Sequence, residues 1–134
     1  QRTGERLREV GGNVDYERFL TEVLVPLKKC QDVRYRRFCC HTWEMEPERV
    51  VSYCPLNVIE GSYSLHPYFG DMYDLRIFMD IDEKSQLENI LHRNGEEKLE
   101  EFKRLWIPKE EAYFEKFQVE KESLIIRWRH PQDV

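Results

Sequence analysis

The sequence predicts an α/β fold in which a parallel sheet is flanked by helices, and three features of the chain predict it. Its 134 residues are enough for one domain and too few for two. Apolar, β-rich runs of strand length occur near residues 56–60, 75–81 and 123–128. Between the second and third runs, apolar residues recur at three- and four-residue spacing, the period of a helix with one buried face. Strands alternating with helices of this length argue for parallel pairing, because a parallel connection has to cross over the sheet and a helix is the usual way to do so.

At the start, Gly11-Gly12-Asn13-Val14-Asp15 has turn chemistry: two glycines permit unusual backbone angles, and the Asp15 carboxylate is placed to cap the helix that follows. That helix is expected to run to about residue 29, with Tyr16, Phe19, Leu20, Val23, Leu24 and Leu27 on its apolar face and Pro26 bending or ending its regular part. Residues 34–56 show no sustained period and read as irregular or weakly extended. Leu56-Asn57-Val58-Ile59-Glu60 then reads as a buried strand that ends in an acid and a glycine. Leu75-Arg76-Ile77-Phe78-Met79-Asp80-Ile81 reads as the next strand, and Asp82 directly after it caps a helix carrying Leu87, Ile90 and Leu91. Past Arg93-Asn94-Gly95 comes a helix with Leu99, Phe102 and Leu105, broken by Pro108, which suits the first turn of another helix carrying Tyr113, Phe114 and Phe117. The last strand is Ser123-Leu124-Ile125-Ile126-Arg127-Trp128.

Composition narrows the classes of function. With 40% hydrophobic and 35% charged residues, the chain buries a core under a charged surface, unlike a disordered segment. No apolar run approaches the roughly 20 residues of a membrane span, and the first residues do not resemble a signal peptide. A cytoplasmic location with no membrane partner is the expectation. The balance of 21 basic and 26 acidic residues gives −5, which opposes a polyphosphate backbone, so nucleic acid is not the expected partner. Cys30, Cys39, Cys40 and Cys54 carry no C-x-x-C spacing, and Cys39-Cys40-His41 lacks the second ligand pair of a structural zinc site. Reduced thiols in a reducing compartment fit that pattern.

In an open parallel sheet, ligands bind beyond the carboxyl ends of the strands. Glu60 occupies such a position, ahead of the short Gly61-Ser62-Tyr63-Ser64 loop. A carboxylate there can hold a hydrated Mg²⁺ that bridges a nucleotide's phosphates, or it can simply face solvent or cap the next helix.

Several segments, in order, resemble the uridine kinase-like branch of the P-loop kinases. They are Gly11-Gly12-Asn13-Val14-Asp15-Tyr16-Glu17-Arg18-Phe19, Val58-Ile59-Glu60-Gly61-Ser62-Tyr63-Ser64-Leu65-His66-Pro67, Tyr73-Asp74-Leu75-Arg76-Ile77-Phe78, His92-Arg93-Asn94-Gly95 and Trp106-Ile107-Pro108. The resemblance implies a P-loop kinase-like fold, a metal-assisting role for Glu60, and a mobile lid over about residues 92–108 in which Arg93, with Arg104, meets the transferring phosphoryl group. Arginine suits that task because it is permanently charged and forks onto phosphate oxygens. It further implies that Asp15 and Tyr16 lie where a sugar is held, and that Tyr35, Phe38 and His41 fall near the base.

The same resemblance marks departures. No G-x-x-x-x-G-K-[ST] phosphate loop occurs in the sequence. The acidic strand end that activates the acceptor hydroxyl in that family precedes the segment matching Gln1-Arg2-Thr3. The family's first two strands are therefore missing from this chain, one of them from the middle of the sheet between residues 57–60 and 75–81. An unpaired edge promotes association, so either a preceding segment completes the sheet or the chains repair it, by forming a homo-oligomer or by rearranging. In the lid, Glu88 and Asn89 stand about where relatives commonly place an arginine. Together these observations imply a single domain over residues 1–134, the C-terminal portion of an ATP-dependent kinase that phosphorylates a hydroxyl of a nucleoside or similar small molecule, with ATP and Mg²⁺ both requiring the absent segment. The chain alone is expected to be inactive. A related kinase acting on a sugar phosphate or vitamin precursor, and a non-catalytic binding or interaction module, remain as alternatives.

Overall fold

Asp15 begins the first helix: its carboxylate accepts a hydrogen bond from the Arg18 amide at 3.3 Å, satisfying one of the free donors of the first turn. The computed structural model describes residues 4–39 and 41–128; Gln1-Arg2-Thr3 and Cys40, named above, lie outside the described residues. Helix α1 (Tyr16–Phe19) passes through a π-helical turn (Leu20–Leu24) into α2 (Val25–Lys28). A second helical run is built the same way, with α4 (Glu96–Glu101), a π-helical turn (Phe102–Trp106) and α5 (Ile107–Phe117), preceded by α3 (Glu83–Asn94).

Pro26 and Pro108 explain both π turns. A helical proline lacks the N–H that would bond four residues back, and its ring collides with that carbonyl. The carbonyls in question belong to Glu22 and Arg104, each at the centre of a π segment. Widening the helix by one residue there removes the collision and lets the helix continue. The expectation that Pro108 breaks its helix is corrected accordingly, while its place in the first turn of α5 is as expected; Pro26, expected to bend or end the regular part of its helix, follows a π turn that interrupts the regular α pattern.

Two further expectations are corrected. Within residues 34–56, expected to be irregular or weakly extended, the chain forms a regular antiparallel hairpin of β1 (Val33–Cys39) and β2 (Glu44–Val51), with Val33 opposite Val51 and a register shift between Arg36 and Phe38. Most of its side chains are exposed on both faces, so it shows no apolar alternation. The strand expected at 57–60 is absent: those residues are irregular, and Leu56 and Val58 are 79% and 81% exposed. A strand exists only where a neighbour supplies its hydrogen bonds, and among the described residues none pairs with this run.

Strand β3 (Ile77–Asp80) pairs in parallel with β4 (Leu124–Arg127), Ile77 opposite Leu124, and the amides of Leu124 and Trp128 extend the ladder onto the carbonyls of Arg76 and Asp80. Helices α3–α5 form the crossover. Asp82 caps α3 by accepting from the Ser85 amide at 2.9 Å. Both edges of this pair are unpaired among the described residues, and Ile77, Met79, Leu124, Ile125 and Ile126 remain 41–57% exposed.

The core is aromatic and has two centres. Tyr16, Leu24 and Phe69 form one; Tyr63, Tyr113 and Val119 form the other, with Phe78, Phe114 and Phe117 packed on it. His66 joins them: its ring stacks on Tyr16 at 4.3 Å between centroids and lies 5.5 Å from Phe117 and 6.1 Å from Tyr113. Gly11 makes this junction possible. A β-carbon there would stand 2.9 Å from His66 Cδ2 and 3.2 Å from Tyr113 Cδ2, and its φ of 81° already favours glycine. Among the described residues, no helix is long and apolar enough to cross a membrane.

Candidate functional site

Arg93 sits in the last turn of α3, where a cation also complements the helix dipole. Its Nε donates to Asn94 Oδ1 at 2.8 Å, and the guanidinium borders a cleft of about 420 Å³ together with Gln86, Asn89, Phe102, Ser62 and Glu110. Ser62 donates to Glu110 at 2.9 Å across the mouth, tying the loop after Glu60 to α5. Asn89 therefore faces the same cleft, one turn before Arg93, at the position discussed above, while its neighbour Glu88 turns to Lys84 at 3.8 Å. Arg104 lies in the π turn, exposed, and does not border this cleft. Glu60 is exposed two residues before Ser62 and does not stand at a strand end.

Among the described residues, no three His, Cys, Asp or Glu side chains gather as a metal site. A magnesium ion at Glu60 would take its other ligands from water and from a ligand's phosphates, which is the ordinary way this ion is held. One exposed carboxylate fits that limited part.

The acceptor-side residues divide. Asp15 is engaged as the α1 cap and lies 3.9 Å from Arg18 Nη1. Tyr16 is buried: Arg6 lies over one face of its ring at 3.7 Å and His66 stacks on it, while its hydroxyl meets Arg6 and Glu9. Tyr35 is half-buried on β1 and His41 is exposed in the hairpin turn, near the edge-to-face pair of Phe38 and Trp43. Arg18 links the two groups. Its guanidinium donates to Glu22 at 2.8 Å and to the Arg36 carbonyl at 2.9 Å, so it fastens the hairpin carrying Tyr35 to the helix begun by Asp15. That ion pair holds the Glu22 carboxyl below its usual range.

His66 was given no role by the sequence pattern and is the most constrained polar residue. Its Nδ1 accepts from the Tyr68 amide at 3.2 Å, while Nε2 is buried without a hydrogen-bond partner among the described residues, and burial pushes its pKa down. Burial pushes the Tyr113 phenol up and that of Tyr73 to about 12, so both stay protonated near neutrality. The glycine pair at 11–12 was the available signal, because a glycine forced by close approach implies a bulky neighbour. Arg18 was signalled by its spacing from Asp15 and Glu22.

No family model, curated protein or solved structure matches this chain.

Proposed function

We propose that this chain is the C-terminal portion of an ATP-dependent kinase, cytoplasmic and similar to uridine kinases, that transfers the γ-phosphoryl group to a hydroxyl of a nucleoside or similar small molecule. The observation that carries the reading is the exposed apolar surface of a parallel pair whose edges are open: Ile77 and Met79 on β3 lie bare, as do Leu56 and Val58 in an unpaired run of strand-like composition. An apolar strand left exposed along an unpaired edge is what a sheet looks like when a neighbouring strand is supplied by other polypeptide. The cleft that brings Arg93 beside the loop after Glu60 gives the reading its chemistry. Arg93 would neutralise charge on the transferring group, Glu60 would orient a magnesium-bound water, and ATP would be held mainly by a phosphate loop outside these residues. Phe38, Trp43 and His41 at the hairpin turn offer an aromatic surface for a base.

The test is transfer of labelled γ-phosphate from ATP to a nucleoside panel by a polypeptide that joins these residues to a phosphate-loop segment. Arg93→Ala is expected to lower kcat at least about tenfold with little change in acceptor KM, since its charge matters most in the transition state. Glu60→Gln is expected to raise the magnesium concentration needed for half-maximal rate. Transfer to no hydroxyl, or variants with unchanged kinetics, would overturn the proposal in favour of a binding module.

A further inference from the structure

Asn94 and Gly95 form the joint between α3 and α4. Asn94 is the last residue of α3, and Gly95, φ 82°, ends that helix and begins the next. Both residues are exposed, and nothing lies within 4 Å of where a β-carbon on Gly95 would stand. The neighbouring guanidinium is turned onto the Asn94 side chain: Arg93 Nε donates to Asn94 Oδ1 at 2.8 Å. A cation bonded to a carboxamide oxygen draws electrons from the carbonyl carbon and stabilises the oxyanion formed when that carbon is attacked. The nucleophile nearest in the chain is the Gly95 backbone nitrogen, whose attack closes a small, unstrained ring. Glycine leaves that nitrogen unshielded because it has no side chain. The other asparagines, Asn13, Asn57 and Asn89, are each followed by a β-branched residue, Val14, Val58 and Ile90, whose stiff side chain crowds the same attack. A backbone bond restrains the joint: the Gly95 amide donates to the Leu91 carbonyl at 2.9 Å. It closes the last turn of α3, at an exposed helix end, where fraying begins.

We infer that Asn94 is a site of spontaneous deamidation and that Arg93 promotes it. With the terminal bond open, the Gly95 nitrogen gives up its proton to solvent and bonds to Asn94 Cγ. The Cγ–Nδ2 bond then breaks, the departing nitrogen takes up a proton and leaves as ammonia, and a succinimide remains. Water opens the succinimide at either carbonyl, giving an aspartyl residue or an isoaspartyl residue whose backbone runs through the former side chain. Water is consumed and ammonia released, with no change in oxidation state. Both products place a carboxylate beside Arg93, at the C-terminal end of α3, where the helix dipole opposes negative charge. The isoaspartyl form also lengthens the backbone by a methylene at the joint. Arg93 borders the cleft between α3 and α5, so the new carboxylate competes for its guanidinium. The effect on phosphoryl transfer rests on the function proposed above, whereas the modification itself does not.

The experiment holds the folded chain at mildly alkaline pH and physiological temperature and digests samples over time at acidic pH. Each asparagine peptide is mapped by mass, and isoaspartyl is detected by enzymatic methyl transfer. The expected result is progressive replacement of the side-chain amide by a hydroxyl at residue 94, with isoaspartyl at that position and a matching acidic band on isoelectric focusing. The peptides carrying Asn13, Asn57 and Asn89 should stay intact over the same period. Gly95→Ala should slow the conversion, and Arg93→Ala should slow it in the folded chain but not in the urea-unfolded one, where the guanidinium is no longer held on Oδ1. An amide retained at Asn94 in the folded chain would overturn the inference, most plainly if the urea-unfolded chain loses it, because the bond to Leu91 would then be decisive. Equal conversion at the other asparagines, or an unchanged rate in Arg93→Ala, would overturn it as well, the last by removing the part assigned to the guanidinium.

Discussion

Gly11→Ala should cost this protein dearly, because two penalties coincide there. The backbone at φ 81° is one that a residue with a β-carbon adopts only at a cost of about 1–2 kcal/mol. The new methyl would also stand 2.9 Å from His66 Cδ2 and 3.2 Å from Tyr113 Cδ2. His66 is held by its hydrogen bond from the Tyr68 amide and its stack on Tyr16, and Tyr113 is fully buried, so neither ring can withdraw freely. Overpacking of this kind costs about 1–3 kcal/mol, giving a total of roughly 2–5 kcal/mol. Urea unfolding monitored by aromatic fluorescence reads it: with a slope of about 2 kcal/mol per molar, the midpoint falls by about 1–2.5 M at unchanged slope. Gly95→Ala is the control, since Gly95 has nearly the same φ, 82°, with nothing within 4 Å of the added carbon. Equal losses at the two positions would refute the packing argument and leave only backbone strain.

Three other outcomes are expected. Because burial lowers the His66 pKa, the unfolded chain takes up its proton first: stability is complete above the unfolded value of about 6.5 and falls as pH drops below it, so Tm should decline from pH 7 toward 5 more steeply than in His66→Phe, and parallel declines would exclude His66 as the source. Arg18→Ala removes the bond to the Arg36 carbonyl along with the Glu22 pair; allowing for partial exposure it should cost about 1–2 kcal/mol and accelerate amide exchange in residues 33–51, whereas unchanged exchange there would mean the hairpin is held by other contacts. Met79→Lys places a charge on the bare face of β3 and should reduce concentration-dependent light scattering without lowering the urea midpoint, and undiminished scattering would locate self-association elsewhere.

The elements legible in the sequence were those with local causes. Asp15 and Asp82 mark helix starts because a cap acts within one turn, and both accept the expected amide. The run at 75–81 was readable as a strand from its composition, and β3 lies within it. The hairpin was not readable, since Arg34 and Glu48 or Arg37 and Glu46 meet only once the strands are paired, and neither face alternates. Residues 56–60 show the converse: strand-like composition without a partner yields an irregular segment. Pro108 was read as a break, and Pro26 as a bend or an end of the regular helix, because the relief that a π turn provides depends on the whole helix packing on. At the candidate site, Arg93 and the loop after Glu60 were named from sequence, whereas His66 was invisible because what sets it apart is burial among Tyr16, Tyr113 and Phe117, which lie far from it in the chain.

The long crossover between β3 and β4 also orders events in time. Ile77 meets Leu124 across forty-seven positions of chain, while Val33 meets Val51 across eighteen. Loop closure alone separates these by only about 0.9 kcal/mol, but β4 cannot arrive until α3, α4 and α5 have folded back to deliver it. During synthesis the ribosome therefore releases β3 well before its neighbour exists, and Ile77 and Met79 spend that interval without cover. The vulnerable moment for this protein is its own birth, and the length of that interval is set by synthesis of the residues between the strands, seconds at roughly 5–20 residues per second, since a helix forms in about a microsecond.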